Sequence, residues 1–320
     1  MNLFLDNVKK GKNNLWRYLL TIFLSWGLSS IIASILFIFT ILFYIMHFGN
    51  FDINIILDSI VNFQSDPVFL FLLIFLSFSL SMIIFYICVK FIHKKDLISL
   101  VNVSKGKNIA GKRISWIKRI RWDRFLKGAL LWSIFLIITE FILYIYNPNS
   151  FIFNFDIENI FLMILLFIIA IPIQVTFEEL FFRGYLIQGL KLKIKNPIFI
   201  ILFSSLVFSL GHIINGGYDS IFMIQNVVVT LIVGIMLCGF TLVDNGIELA
   251  TGAHLANNFF AVIISSSDGS LGNFNSIIQT VGNDPIIDTL FTTSSLIVFA
   301  LILFLYKKEN VLKALNLGNN

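Results

Sequence analysis

Long apolar stretches separated by short polar segments dominate the chain. A helix needs about 20 mostly apolar residues to cross the hydrocarbon core of a membrane. The pattern predicts eight such helices, at residues 18–46, 68–89, 128–146, 160–190, 198–214, 221–243, 247–264 and 290–306. We therefore expect an all-α fold, a polytopic transmembrane helical bundle of about eight spans.

Composition agrees with a membrane protein and excludes an ordinary soluble enzyme. Of the 320 residues, 58% are hydrophobic and only 13% are charged, and the mean hydropathy is +0.90. A soluble domain carries about 25% charged residues to cover its core. The two cysteines, Cys88 and Cys238, both lie in apolar stretches, which excludes a disulfide framework and a CxxC motif.

The charged residues predict how the bundle is oriented. Twelve of the 23 Lys and Arg residues lie between Lys90 and Lys127, at the connection between the second and third spans. The alternate connections contain none, near residues 47–67, 147–159, 215–220 and 265–289. Because cytoplasmic loops are rich in Lys and Arg, we expect both termini in the cytoplasm, in a bacterial plasma membrane. The Ser-, Gly- and Asn-rich stretch from Ser265 to Asp288 is then an irregular outer loop.

Basic and aromatic residues alternate in the segment 90–127, with Trp116, Trp122 and Phe125 among its Lys and Arg residues. Such a mixture is also found in nucleic-acid-binding segments. Beside a membrane, however, it favours an amphipathic helix at the interface that binds anionic lipid. We expect anionic lipid as the partner of residues 90–127, and no nucleic acid.

Ionisable and amide side chains interrupt three of the predicted spans. An ionisable group at membrane depth costs about 2.5–3.5 kcal/mol on insertion scales, and so indicates function. Counting about 1.5 Å per residue along each helix from the nearest inner loop brings the three groups to overlapping depths. They are Glu178, Glu179 and Arg183 in the fourth span, His212 in the fifth, and His254 and Asn258 in the seventh.

Helical geometry predicts a different role for each member of these groups. Glu179 and Arg183 are four residues apart and can form an ion pair. Glu178 points about 100° away and keeps a free carboxylate, as a general base requires. His254 and Asn258 share a face, while Pro172 and Gly184 favour a kink or tilt in the fourth span. The alternative is structural: a buried ion pair that joins two helices, with His and Asn as interhelical hydrogen-bonding residues.

Taken in order, the three groups resemble a known family. Glu178-Glu179-x-x-x-Arg183, then Phe208-x-x-x-His212, then His254-x-x-x-Asn258 is similar to the CPBP family, the CAAX-protease and bacteriocin-processing (Abi) intramembrane proteases. The family includes the type II CAAX prenyl endopeptidases. The resemblance covers roughly residues 125–265, and Asn245-Gly246-Ile247-Glu248-Leu249 precedes the third motif as in the family.

The resemblance implies a role for each residue. Glu178 with His212 would activate a water for attack on a peptide carbonyl. His254 and Asn258 would stabilise the resulting oxyanion. Glu179 and Arg183 would hold the first motif in place. The substrate would be a membrane-associated protein or peptide, in CAAX-type C-terminal processing or in bacteriocin processing and self-immunity.

The motifs require no cofactor, but zinc remains open. One carboxylate and two imidazoles, from Glu178, His212 and His254, can provide three ligands and leave one position open. Nothing matches HExxH, in which one helix supplies both histidines. Members of the family are also interpreted as metal-free glutamate proteases.

We divide the chain into three regions and keep two other functions open. The regions are a two-span N-terminal part with the basic segment (residues 1–124), a CPBP-like catalytic core (125–265), and an outer loop, last span and tail (266–320). A non-catalytic membrane immunity or interaction protein is one alternative. A transporter is the other, because charged groups near the midplane of broken helices are typical of transporters.

Overall fold

The computed structural model describes residues 3–48, 66–103, 115–213, 220–267, 276–282 and 284–315. The helices are α1 (Leu15–Ile22), α2 (Ser29–Phe48), α3 (Pro67–Ile87), α4 (Ile98–Val101), α5 (Trp116–Arg119), α6 (Trp122–Tyr146), α7 (Ile157–Glu178), α8 (Ile187–Leu190), α9 (Pro197–Leu210), α10 (Ser220–Asp244), α11 (Glu248–Phe259), α12 (Pro285–Tyr306) and α13 (Lys308–Ala314). The strands are β1 (Phe151–Phe153), β2 (Ser265–Ser267) and β3 (Ile278–Thr280).

The described ranges also contain four π-helical segments and two 3₁₀ helices. The π-helical segments are Phe23–Leu28 between α1 and α2, Cys88–Ile92 after α3, Glu179–Leu186 between α7 and α8, and Phe260–Ile264 after α11. The 3₁₀ helices are Leu5–Lys9 and Pro148–Ser150.

Within the described residues, six helices are long and apolar enough to cross a membrane, and they confirm the predicted all-α bundle. They are Leu15–Phe39, Pro67–Ile92, Trp122–Tyr146, Ile157–Leu190, Ser220–Asp244 and Ile286–Tyr306. The other two predicted spans are shorter, because α9 has 14 residues and α11 has 12 before its π-helical segment. A 14-residue helix is about 21 Å long, less than the hydrocarbon core. The count of eight spans stays a prediction.

Helices α3, α9 and α12 begin with the same two-residue signal. Asp66, Asn196 and Asp284 each precede a proline, and each side chain accepts a hydrogen bond from a backbone N–H of the first turn. The carboxylate or amide oxygen satisfies a donor that the helix itself cannot pair. Proline at the first helical position loses nothing, because its missing N–H would be unpaired there. The sequence therefore fixes where α3, α9 and α12 start.

Helices α6 and α11 lie in direct backbone contact. A methyl group on Gly128 would overlap the carbonyl oxygen of Leu249, and one on Gly252 would overlap that of Phe125. Small residues let two membrane helices approach this closely. Both helices begin at the end of the bundle that carries the Lys- and Arg-rich segment, which we call the basic end. They therefore run in the same direction.

A segment at the basic end, residues 93–103, packs across the bundle, and we call it the strap. The backbone N–H of Ile247 donates to the carbonyl of Val101 at 2.8 Å, and Asn102 forms a β-bridge with Gly246. The N-terminal 3₁₀ helix lies against the strap, where the Asn7 amide donates to the carbonyls of Ser99 and Asn102. Phe4, Leu5 and Leu100 share one buried cluster with Phe177, Phe181 and Tyr185.

The described residues cover only part of the segment 90–127, so the interfacial amphipathic helix predicted there stays a prediction. In the described part of that segment the helices before α6 are only four residues long, α4 and α5. The remainder of the stretch, residues 104–114, lies outside the described residues. Apolar side chains of the strap, such as those of Ile98 and Leu100, are buried within the protein and do not face lipid.

A small sheet at the end opposite the basic end corrects one prediction. Strand β3 pairs antiparallel with β1 and parallel with β2, in the order β1-β3-β2. We expected the whole stretch from Ser265 to Asp288 to be irregular, but it contributes two of the three strands. The sheet closes over the ends of α6 and α11, where the Ser265 hydroxyl donates to the carboxylate of Glu140.

Candidate active site

The first motif lies where α7 changes into the π-helical segment Glu179–Leu186. Pro172 lies inside α7 without ending it, and the Thr176 hydroxyl donates to the carbonyl of Pro172 at 2.6 Å. The predicted irregularity in this span is therefore a π-helical segment in a continuous helix, Ile157–Leu190. Such segments are rare and often mark functional sites. Gly184 is required there, because a methyl group on it would collide with the carbonyl of Leu100.

Glu179 and Arg183 form the ion pair that their spacing predicts. Nη1 of Arg183 lies 2.9 Å from Oε1 of Glu179, and both side chains are fully buried. The guanidinium carbon of Arg183 also lies 4.0 Å from the centre of the Phe208 ring. Among the described residues, Nε and Nη2 of Arg183 have no hydrogen-bond partner. The pair and the phenyl ring together fix the position of Arg183.

His254 connects the two carboxylates. Its Nδ1 lies 2.7 Å from Oε1 of Glu179, and its Nε2 lies 3.6 Å from Oε2 of Glu178. Because the arginine-paired Glu179 carboxylate accepts hydrogen bonds, Nδ1 of His254 donates the proton. The lone pair of Nε2 then faces Glu178. A carboxylate that fixes the tautomer of a histidine in this way is a recurring arrangement in hydrolases.

Glu178 is therefore less free than its position in the sequence predicted. Besides facing His254, it accepts a hydrogen bond from the Gln174 amide, which lies 3.4 Å from Oε1. Sequence reasoning missed Gln174, although it lies one helical turn before Glu178 and so on the same face. The remaining oxygen, Oε2, has no hydrogen-bond partner among the described residues.

The charges of this cluster require a proton or a polar molecule near Glu178. Glu178, Glu179, Arg183 and His254 are at most 4% exposed. Arg183 neutralises one carboxylate, which leaves the second without a cation unless His254 is protonated. An unpaired charge is strongly disfavoured in a low-dielectric interior. Two acceptors 3.6 Å apart are too far apart for a direct hydrogen bond, and a water that donates to both would stabilise them.

The structure places His212 differently from the expectation that it acts beside Glu178. Its Nδ1 donates to the carbonyl of Phe208 at 2.8 Å, and its own carbonyl accepts from the Asn226 amide at 2.7 Å. The Phe208 ring contacts both imidazoles, with centroid distances of 4.3 Å to His212 and 5.9 Å to His254. In the described structure, His254 and not His212 is therefore the imidazole that faces Glu178.

Asn258 lies one turn beyond His254 on α11 and is half-buried. Its side-chain oxygen accepts from the Asn257 amide at 3.4 Å, and the oxygen of Asn257 accepts from the indole N–H of Trp132 at 3.1 Å. Neither Trp132 nor Asn257 was singled out from the sequence. The spacing rules that pair residues within one helix give no signal for a contact between helices 125 residues apart in sequence.

The three candidate zinc ligands, Glu178, His212 and His254, do not form a ligand set among the described residues. A catalytic zinc ion takes three protein ligands within about 2.3 Å. Across the described ranges, no three His, Cys, Asp or Glu side chains are grouped closely enough to hold a metal ion. Glu178 and His254 converge, but the His212 ring packs on Phe208. These residues do not fit the ion.

Several basic residues of the segment 90–127 pair with polar or acidic residues of the protein. The contacts are Lys95 with Gln188 at 2.8 Å, Arg119 with Asp96 at 3.0 Å, Arg121 with Asp244 at 2.9 Å and with Glu248 at 2.6 Å, and Arg124 with Asp244 at 3.6 Å. Lys95 is buried, and burial together with the nearby charge of Lys10 lowers its pKa to about 7. Ion pairs with Asp244 and Glu248 raise the pKa of Arg121 even though burial opposes this.

The comparisons with known proteins agree with the class that fold and site define. The molecule is a mainly helical integral membrane protein, and its residues 158–260 match the family model of type II CAAX prenyl endopeptidase Rce1-like proteins. This match confirms the resemblance expected from the motifs and contains Glu178, Glu179, Arg183, His212, His254 and Asn258.

A known protein is similar to this chain over nearly its whole length. The chain is 27% identical over 312 residues to the uncharacterized protein YyaK of Bacillus subtilis (strain 168). The similarity covers 97% of this chain and 98% of that protein. No solved structure matches the chain significantly.

Proposed function

We propose that the protein is an intramembrane endopeptidase that hydrolyses a peptide bond of a membrane-associated protein or peptide. One observation carries the proposal: Oε2 of Glu178 and Nε2 of His254 face each other at 3.6 Å inside a buried cluster. The Rce1-like match over the same residues supports it. The proposal places His254, in addition to His212, among the residues that handle the water.

In the proposed reaction a water donates one proton towards Glu178 and the other towards Nε2 of His254. The water oxygen attacks the carbonyl carbon of the scissile bond while Glu178 takes up its proton. The tetrahedral intermediate carries a negative oxygen, which the Asn258 amide stabilises. When the C–N bond breaks, Glu178 returns the proton to the leaving amine. Glu179 holds His254 in the tautomer that this step needs.

His212 remains a candidate catalytic residue in the proposal. Because a carbonyl oxygen only accepts, the bond to Phe208 places the proton on Nδ1 and the lone pair on Nε2. That lone pair is available to the water or to a substrate N–H. The ring also lies on Phe208, which contacts His254 and Arg183. His212 is thus attached to the same cluster without touching Glu178.

We place the protein in a bacterial plasma membrane, with its basic end and both termini in the cytoplasm. Lys90, Lys118 and Lys127 are exposed at or near the basic end, and we propose that they face anionic lipid head groups. Basic side chains near such a surface are attracted by about 1 kcal/mol each.

The first test is peptide cleavage by the purified protein in lipid nanodiscs, with prenylated and unmodified C-terminal peptides and fragments identified by mass spectrometry. Glu178→Gln keeps the size of the side chain but removes the base, so we expect kcat to fall by about 100-fold or more. The matched control is Glu158→Gln, an exposed carboxylate in the first turn of the same helix. It should cleave like the wild type.

Each outcome is informative. Cleavage retained by Glu178→Gln contradicts the assigned base, and loss of cleavage with a chelator shows that a metal is needed despite the ligand geometry. Absence of cleavage by the wild type favours a non-catalytic immunity or interaction protein. Preference for prenylated over unmodified peptides separates CAAX-type processing from general peptide processing.

A further inference from the structure

Three polar contacts join α6 and Arg121, the residue before it, to α11 and Ser265, the first residue of β2. At the basic end Arg121 pairs with Glu248, in the middle Trp132 contacts Asn257, and at the far end Ser265 contacts Glu140. The contact at Gly128 and Gly252 brings the two backbones together between the first and second of these points. Helix α6 therefore limits sliding and rotation of the helix that carries His254 and Asn258.

The middle contact leads directly to Asn258. The indole N–H of Trp132 donates to Oδ1 of Asn257 at 3.1 Å, and Trp132 is only 1% exposed. Because this bond occupies the oxygen of Asn257, its amide nitrogen is the group that faces Asn258. That nitrogen lies 3.4 Å from Oδ1 of Asn258. The bond turns the Asn258 amide so that its own N–H groups point away from Asn257.

We propose that Trp132 and Asn257 are positioning residues for the oxyanion donor Asn258. The inference rests on the proposed function, because only a developing oxyanion needs a donor held in one orientation. An amide that rotates freely presents its oxygen half of the time, which would repel the negative charge. Trp132 lies outside the segment 158–260 that matches the family model. The inference thus assigns a role to a helix that the match does not cover.

A packing role and a positioning role of this pair predict different results. A buried tryptophan is satisfied by any acceptor, and Trp132 also packs against Phe135, Phe240 and Phe299. A purely structural role predicts that loss of the indole N–H affects stability and leaves turnover per folded molecule unchanged. A positioning role predicts that it affects turnover through Asn258 alone.

The test is a double-mutant cycle measured with the cleavage assay. Trp132→Phe removes the indole N–H and keeps a buried ring. Asn257→Ala removes the acceptor of the same hydrogen bond, at a half-buried residue. We expect each to lower kcat by about 10-fold with little change in KM, because a small displacement of a catalytic group is costly. Asn258→Ala should lower kcat by about 100-fold. Adding Trp132→Phe to Asn258→Ala should cause no further loss.

Trp122→Phe is the matched control, since Trp122 lies on the same helix and is 52% exposed. It should cleave like the wild type. Wild-type kcat in both Trp132→Phe and Asn257→Ala overturns the inference while leaving the proposed function intact. The inference is also overturned if Trp132→Phe lowers kcat by the same factor in the wild type and in the Asn258→Ala variant. If the wild type cleaves nothing, the proposed function fails and this inference fails with it.

Discussion

Arg183 is fully buried, and Glu179 is its one charged partner among the described salt bridges. Removing one member of a buried ion pair leaves the other charge in a low-dielectric interior, which typically costs about 3–5 kcal/mol. We expect Arg183→Met to lower the free energy of unfolding by about that amount. The measurement is reversible unfolding in mixed micelles.

Arg124→Met is the matched control for this prediction. Its side chain is 42% exposed and pairs at 3.6 Å, so its removal should change stability by at most about 1 kcal/mol. Glu179→Gln combined with Arg183→Met should be less destabilised than Arg183→Met alone, because no unpaired charge remains. Equal destabilisation by the Arg183 and Arg124 variants would contradict the pairing.

At the residue scale the sequence predicted contacts within helices and missed contacts between them. The spacing of Glu179 and Arg183 places both on one face, and the structure contains that pair. Which histidine faces Glu178 depends on how α7, α9 and α11 are arranged. The motif order gives no such information: it did not indicate the contact between Glu178 and His254, and the role of His212 beside Glu178 stays a prediction.

At the scale of elements, the strap contacts the C-terminal part of the span Ile157–Leu190, which carries the first motif. Nε2 of His93 accepts from the Tyr185 hydroxyl at 2.8 Å, and the Lys95 ammonium donates to Gln188 at 2.8 Å. Composition predicted a lipid-facing helix in the segment 90–127, which contains the strap, because basic and aromatic residues alternate there. It did not predict that acidic residues elsewhere in the chain, Asp244 and Glu248, would bind part of that charge.

The strap makes stability depend on pH through Lys95. Burial lowers the pKa of Lys95 from its ordinary value of 10.5 to about 7 in the folded protein. Between these values the unfolded chain binds more protons, so the free energy of unfolding rises as pH increases. From pH 7 to pH 9 we expect the wild type to gain up to about 2 kcal/mol.

Lys95→Met should remove this dependence and stabilise the protein at pH 7. The measurement is unfolding in mixed micelles at pH 7, 8 and 9. Lys94→Met is the control, because Lys94 is exposed and adjacent to Lys95 in the chain. It should retain the wild-type pH dependence. An unchanged pH dependence in Lys95→Met would show that Lys95 is protonated in the folded state throughout this range.

For the whole molecule, the membrane itself makes the sequence informative. A span must satisfy its backbone internally and present apolar side chains to lipid, so helices are predictable from hydropathy alone. Large side chains such as Phe141, Phe161 and Leu305 are more than 60% exposed, as expected for a lipid-facing surface. The π-helical segments and the strap depend on tertiary contacts, for which local hydropathy gives no signal.

The distribution of charge also predicts which end of the molecule faces the cytoplasm. Residues 90–127 carry more than half of the basic residues, and the small sheet closes the opposite end. The ion pairs formed by residues 90–127 do not change the predicted orientation, because orientation follows from the count of Lys and Arg near the spans during insertion. We therefore expect Asn149, beside β1, to lie outside the cell and Lys118 to lie inside.

Single-cysteine variants test this orientation, in a background where the buried Cys88 and Cys238 are replaced. Asn149→Cys and Lys118→Cys both place a thiol at an exposed position. A membrane-impermeant maleimide added to intact cells should label Asn149→Cys, and it should label Lys118→Cys only after permeabilisation. The opposite labelling pattern would show that the bundle has the opposite orientation in the membrane. Residues 90–127 would then face away from the anionic cytoplasmic leaflet, which would also remove the basis for the proposed lipid contact.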